Sequence, residues 1–193
     1  MIDMTSACQR TSDVLANVDD SQLTTPTPCS EYSVGDLLHH VGGLAMAFAA
    51  SARRDLGPLT GSPPVPDASQ LSDDWRTSYP ARLTELAEAW SDPRAWQGMT
   101  RIAAMDMPGE AVGITGLTEV VIHGWDLARA TGQAYDVDPA TADAVLANVA
   151  QFAAQDPIEG LFGPAVPIAD DAPVLDRIIA LSGRDPGWGS GVG

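Results

Sequence analysis

Leu117-Thr118-Glu119-Val120-Val121-Ile122-His123-Gly124-Trp125-Asp126-Leu127-Ala128-Arg129 reads as one helix, and the rest of the chain is organised around it. Glu119 and His123 lie four residues apart, so their side chains stack one turn above the other on the same face. A carboxylate and an imidazole at that spacing can grip one metal ion from a rigid support. The chain has only three histidines. His40, in a second expected helix, is the natural third ligand, and its neighbour His39 stays open on spacing alone. Two neutral imidazoles and a carboxylate leave coordination positions free, as catalytic rather than structural zinc requires. Nickel, iron or manganese would accept the same set. A blander alternative stands beside this one. No His-Glu-x-x-His signature is present, and Glu119 could simply hydrogen-bond His123, or both could be solvated.

Asp126 follows His123 by three residues, on an adjacent face. It can act as a catalytic residue in contact with substrate, orient a metal ligand from behind, or be an ordinary surface acid. Arg129, near the helix end, complements the helix dipole.

Working outward, the periodicity predicts a first helix over residues 4–18, with Val14, Leu15 and Val18 as its clearest apolar positions. A proline-bearing link over 21–30 follows. Ser33-Val34-Gly35-Asp36 has the form of a capping box with a shortened acid, opening a helix over 34–54. Val34, Leu37, Leu38, Val41, Leu44, Ala45 and Phe48 recur there at helical spacing. His39 falls on the watery side and His40 on the flank of the apolar stripe. Residues 57–70 are too rich in Pro and Gly to continue a helix, and loops of that length are often functional.

A third helix is expected over 72–90, with Trp75, Tyr79, Leu83, Leu86 and Trp90 as a core stripe, bent or split at Pro80. Residues 92–107 read as irregular, with a short extended piece near 99–105. The fourth helix should start after Pro108 and end at Thr131, with Gly132 as a left-handed cap. Gly113 and Gly116 within it are poor helix formers, and imply that another backbone or a ligand comes close. Asp138 and Pro139 open a helix over 139–155, with Ala142, Val145, Leu146, Val149 and Phe152 or Ala153 buried. A loop over 156–173 and a last short helix over 173–181 complete the body. The expected fold is all-α: an antiparallel helical bundle with extra short helices and long loops, as a single domain over 1–182. A loose Gly-rich tail over 183–193 follows.

The 193 residues carry a net charge of −16 with only 10 Lys and Arg. So acidic a surface repels phosphate backbones and anionic lipid, which argues against nucleic-acid and membrane partners. No apolar run is long enough to span a bilayer. The first residues lack the basic and apolar regions of a signal peptide, so a cytoplasmic location is expected. Cys8 and Cys29 have no paired spacing and read as small packing residues.

Two stretches resemble one known family. Thr27-Pro28-Cys29-Ser30-Glu31-Tyr32-Ser33-Val34-Gly35-Asp36-Leu37-Leu38-His39-His40-Val41-Gly42-Gly43 is similar to the helix-two signature of mycothiol-dependent maleylpyruvate isomerase N-terminal domains, within the DinB-like superfamily. Residues 119–132 resemble their second signature. Phe162-Gly163-Pro164 and Leu175-Asp176-Arg177 look like a single-domain, metal-binding branch of that family, and Tyr32 stands where the family more often has Trp.

The resemblance implies a DinB-like four-helix bundle, often a homodimer. It places metal ligands at His40, Glu119 and His123, choosing His40 over His39. The sequence departs from the family in ending without the second domain of the isomerase itself, so maleylpyruvate isomerisation is not the reaction expected. The implied function is that of a divalent-metal-binding protein, zinc first and nickel second, with mycothiol as cosubstrate. Its partners would be a small-molecule thiol and an electrophile, in a transferase or isomerase reaction. A non-catalytic metal- or ligand-binding module and a metal-free helical dimer are the alternatives.

Overall fold

The computed structural model describes residues 1–154 and 163–189. Six helices and one hairpin follow in order: α1 (Thr5–Ala16), α2 (Val34–Arg53), α3 (Trp75–Trp90), β1 (Met99–Ile102), β2 (Met105–Pro108), α4 (Gly109–Ala130), α5 (Pro139–Ala153) and α6 (Val174–Leu181). The all-α reading therefore holds, with one small addition. Among the described residues, no helix is long and apolar enough to cross a membrane.

Helices α1 to α4 form a ring in which α1 and α2 each pack against both α3 and α4. α2 and α4 are antiparallel, since Phe48 abuts Gly116 while His40 meets His123. α1 and α3 are also antiparallel: Arg76, at the start of α3, donates to the Val18 carbonyl just past α1. α2 and α3 run the same way, with Gly42 against Tyr79 and the Phe48 carbonyl accepting from Trp90 Nε1. A parallel pair cannot be joined by a tight turn. The connection has to travel back along a helix about 30 Å long, which accounts for the length of the Pro-rich segment before α3.

Capping sets these elements in place. Ser33 Oγ accepts from the Asp36 amide while Asp36 Oδ2 accepts from the Ser33 amide, so the shortened box is complete. Asp138 Oδ1 accepts from the Thr141 amide at the start of α5. Gly132, with φ of 71°, provides the left-handed residue after α4. The expected stripes of α2 and α3 are buried, except that Leu44 is only half-buried. α5 lies on α4 and pairs with α6.

Four expectations are corrected. Of the bend or split expected at Pro80, the split is excluded, since α3 is continuous; Pro80 sits near the N-terminus, where its missing N–H removes a single intrahelical bond, to Arg76. Residues 92–107 are not merely irregular: β1 and β2 pair antiparallel, Met99 with Pro108 through Ile102 with Met105. Their turn is made by Ala103 and Ala104 at φ of 49° and 64°, with none of the Asn-Gly chemistry that usually marks such a turn. At Gly113 and Gly116 the close approach is made by aromatic side chains rather than by another backbone. A Cβ at Gly113 would lie 2.8 Å from the Trp90 ring and 2.9 Å from that of Trp96, and one at Gly116 would lie 2.9 Å from the Phe48 ring.

The fourth correction concerns the tail. Arg129 Nη2 donates to the carbonyls of Pro186 and Trp188, and Trp188 packs against the core. Residues 183–189 are thus pinned to the bundle, and Arg129 does more than complement a dipole. The expected end of α5 at Gln155, the loop residues 156–162, the Phe162 motif position and tail residues 190–193 lie outside the described residues.

Overpacking a close aromatic contact costs about 1–3 kcal/mol. Gly113→Ala should therefore lower the unfolding free energy by that amount, seen in urea melts as a lower midpoint with the m-value unchanged. An unchanged midpoint would show that the tryptophans can yield.

Candidate metal centre

Every residue of α4 from Gly116 to Ala128 is buried. This central helix is apolar almost all round, as a helix enclosed on every side should be. Besides Thr118, whose hydroxyl donates to the Ile114 carbonyl, the exceptions are the titratable Glu119, His123 and Asp126, at 8%, 5% and 0% exposure. Buried polar groups of this kind need partners, and here they supply one another. Glu119 Oε2 lies 3.0 Å from His123 Nε2, and Asp126 Oδ2 lies 3.1 Å from His123 Nδ1. Burial alone would lower the His123 imidazole, but its hydrogen bonds to Asp126 and Glu119 outweigh burial and raise it to about 8. The Glu119 carboxyl would be raised by burial, yet His123, His40 and Arg184 bring it below its ordinary value.

His40 reaches the same point from α2. Its ring centroid is 5.2 Å from that of His123, at an interplanar angle of 81°. His40 Nδ1 lies 3.1 Å from the Pro64 carbonyl oxygen. A carbonyl only accepts, so Nδ1 carries the hydrogen and Nε2 keeps its lone pair. Burial, with His123 beside it, pushes the His40 imidazole down to about 4, which keeps it neutral.

Donor atoms from His40, Glu119 and His123 all lie within 4.8 Å of one another. The structure thus brings together the three residues singled out in the sequence. His39 is not among them: it is half-buried rather than watery, with Nδ1 shielded and without a hydrogen-bond partner. Two imidazoles each held at Nδ1 and one carboxylate are a donor set suited to a divalent cation.

Behind His123 stands Asp126, with a partner that the sequence did not disclose. Asp126 is no surface acid. Its Oδ2 also accepts from Arg184 Nη2 at 3.2 Å, and Arg184 Nη1 donates to the Ser182 carbonyl. Arg184 is itself buried, and its Nε and Asp126 Oδ1 have no hydrogen-bond partner. Tyr32 tilts against His40 at 5.6 Å between centroids.

Cys29 is half-buried near these groups. Burial pushes its thiol up to about 11, Arg184 works against that, and Asp126 and Glu119 add to it. Cys8 is buried and its thiol is pushed up to about 12, as a packing residue should be. Arg184 lies 58 residues from Asp126 in the chain, beyond the reach of any spacing argument. Cys29, by contrast, stands inside the first signature stretch.

These shifts set a pH dependence for the metal-free protein. His123 has a folded value of about 8 against a reference of 6.5. Its contribution to stability is therefore full below the unfolded value and is lost as pH rises through the folded one. His40 acts in the opposite sense: its folded value of about 4 makes the unfolded chain the better proton acceptor, so stability falls as pH drops from 6.5 toward 4. Urea melts should show about 2 kcal/mol lost between roughly pH 6.5 and 8.5, and His123→Gln should remove that slope. A slope unchanged in the variant would contradict the arrangement.

The sequence model of the family described as Mycothiol maleylpyruvate isomerase N-terminal domain matches residues 4–128. Two uncharacterized proteins of Mycobacterium tuberculosis, from strains CDC 1551 / Oshkosh and ATCC 25618 / H37Rv, are each 32% identical over 195 residues, covering 95% of this chain and 98% of theirs. The fold is similar to the crystal structure of the mycothiol-dependent maleylpyruvate isomerase, with a TM-score of 0.68 at 19% identity, over 94% of this chain and 86% of that one. A histidine-to-alanine mutant of that isomerase superposes with a TM-score of 0.69 at 18% identity, over the same shares of the two chains. The chain belongs to the family of the mycothiol maleylpyruvate isomerase N-terminal domain.

Proposed function

We propose that the protein binds one divalent metal through His40, Glu119 and His123, and uses it in thiol-dependent transfer or isomerisation of a small electrophile. Zinc is the first choice and nickel the second. The observation that carries this reading is the convergence of two imidazoles, each engaged at Nδ1, and one carboxylate, with Glu119 and His123 buried and His40 half-buried. The family's description names a mycothiol enzyme, so mycothiol is the thiol we assign. When bound, the metal would act as a Lewis acid that lowers the pKa of a thiol at the open position.

The chain's own residues do the rest. His40 presents an Nε2 lone pair, His123 would do so once the metal displaces its Nε2 proton, and Glu119 supplies the charged oxygen. Asp126 is fully enclosed between His123 and Arg184, so it positions His123 rather than touching substrate, and it fixes the tautomer of that ring. A cytoplasmic setting, where small thiols stay reduced, suits this chemistry.

One observation favours the second reading, a non-catalytic metal-binding module. The apolar cavity beside Glu119, lined by Val41, Leu44, Phe48, Leu86, Gly116 and Val120 among others, measures about 10 Å³. That is room for about one water molecule, not for an electrophile.

Untagged protein, mycothiol and a bimane or dinitrobenzene electrophile separate the readings. A rate abolished by chelator and restored by zinc is expected, with His123→Ala losing metal and rate while keeping its fold. Asp126→Asn should weaken metal binding about 10–100-fold. Tight metal binding with no thiol turnover on any substrate would favour the module, and no metal uptake would defeat both.

A further inference from the structure

The long segment between α2 and α3 returns along α2 and touches it at two glycines. A Cβ at Gly43 would lie 2.7 Å from Pro64 Cβ, and one at Gly35 would lie 3.0 Å from Ala68 Cβ. Between these points Asp36 Oδ1 accepts from the Ala68 amide at 2.7 Å, and the Pro64 carbonyl takes the hydrogen of His40 Nδ1. Residues 64–68 therefore form a strap laid along α2, with Gly43 and His40 under one end. The approach at Gly43 is too close for any side chain. Real Cβ atoms are not found at 2.7 Å from another carbon, so even a methyl group there has to lift Pro64.

We infer that Gly43 and the Pro64 carbonyl form a latch that positions His40 as a metal ligand; this rests on the metal-binding reading above. A neutral imidazole carries its hydrogen on one nitrogen and can ligate only through the other. Pro64, seated against Gly43, holds the hydrogen at Nδ1 and leaves Nε2 for the ion. A lifted strap frees the ring to rotate and to exchange tautomers, so the ligating form is populated only part of the time. Partners that orient a ligand in this way are worth about 10–100-fold in metal affinity. Linkage makes the effect mutual: bound metal must hold the strap down by the factor by which the strap favours metal. The loop is long because of the parallel α2 and α3, and this contact gives its middle a task beyond connection.

Gly43→Ala is the direct test, with Gly57→Ala as control, since a Cβ at Gly57 meets nothing within 4 Å. Zinc affinity, measured by competition with a chromogenic chelator, should fall about tenfold or more in Gly43→Ala and stay unchanged in Gly57→Ala. In metal-free protein, nitrogen-15 spectra of the His40 ring should show hydrogen at Nδ1 in the wild type and a mixed population in Gly43→Ala. Hydrogen exchange at the Ala68 amide in wild-type protein should slow on adding zinc, a reading that needs no variant to fold.

Equal zinc affinity and an unaltered His40 ring in Gly43→Ala would overturn the latch while leaving the metal reading intact. So would exchange at Ala68 that ignores zinc. Failure of the wild type to take up zinc defeats the metal reading instead, and the tautomer spectra then decide the latch on their own.

Discussion

A buried imidazole between two carboxylates is the constraint that the rest of this structure serves. An ionised group taken out of water costs several kcal/mol even after relaxation, and α4 carries Glu119 and Asp126 into the middle of the bundle. His123 lies between them and Arg184 lies beyond Asp126. With His123 protonated, two negative and two positive charges cancel. With a divalent ion in the place of that proton, the same groups carry one positive charge in excess. That balance favours an anionic guest.

The bundle is arranged to keep this chain of charges whole. Apolar residues of α2, α3 and α4 close the interior, and large aromatic rings press on the small residues of α4 at Gly113 and Gly116. α2 contributes His40 from the facing wall, and the strap over α2 holds it from outside through Pro64. The end of the chain is drawn in as well. Arg129 fastens the carbonyls of Pro186 and Trp188, and so sets the segment from which Arg184 enters the core. Residues on three separate parts of the sequence thus converge on one small volume.

Much of this was legible in the sequence because it is local. The Ser33 and Asp138 caps, the apolar stripes of α2 and α3, and the Glu119–His123 pair all depend on spacings of three or four residues. His40 needed the family resemblance to be chosen over His39, since both stand on the same turn of α2. What escaped is not local. Arg184 meets Asp126 across 58 residues, and the Pro64 contact is made by a backbone carbonyl that any residue carries. The hairpin was missed because alanines occupy its left-handed turn positions. The tail was read as loose from its glycines, although its arginine and tryptophan hold it down. Asp126 was open between surface and site on spacing alone, and burial shows it to lie inside.

X-ray absorption at the metal edge of untagged, zinc-loaded protein tests the central claim most directly. The account predicts a shell with two imidazole nitrogens at about 2.0–2.1 Å and a carboxylate oxygen at about 2.0–2.2 Å. It also predicts that His40→Ala removes one of those nitrogens. A shell of oxygens alone, or one that His40→Ala leaves unchanged, would contradict it.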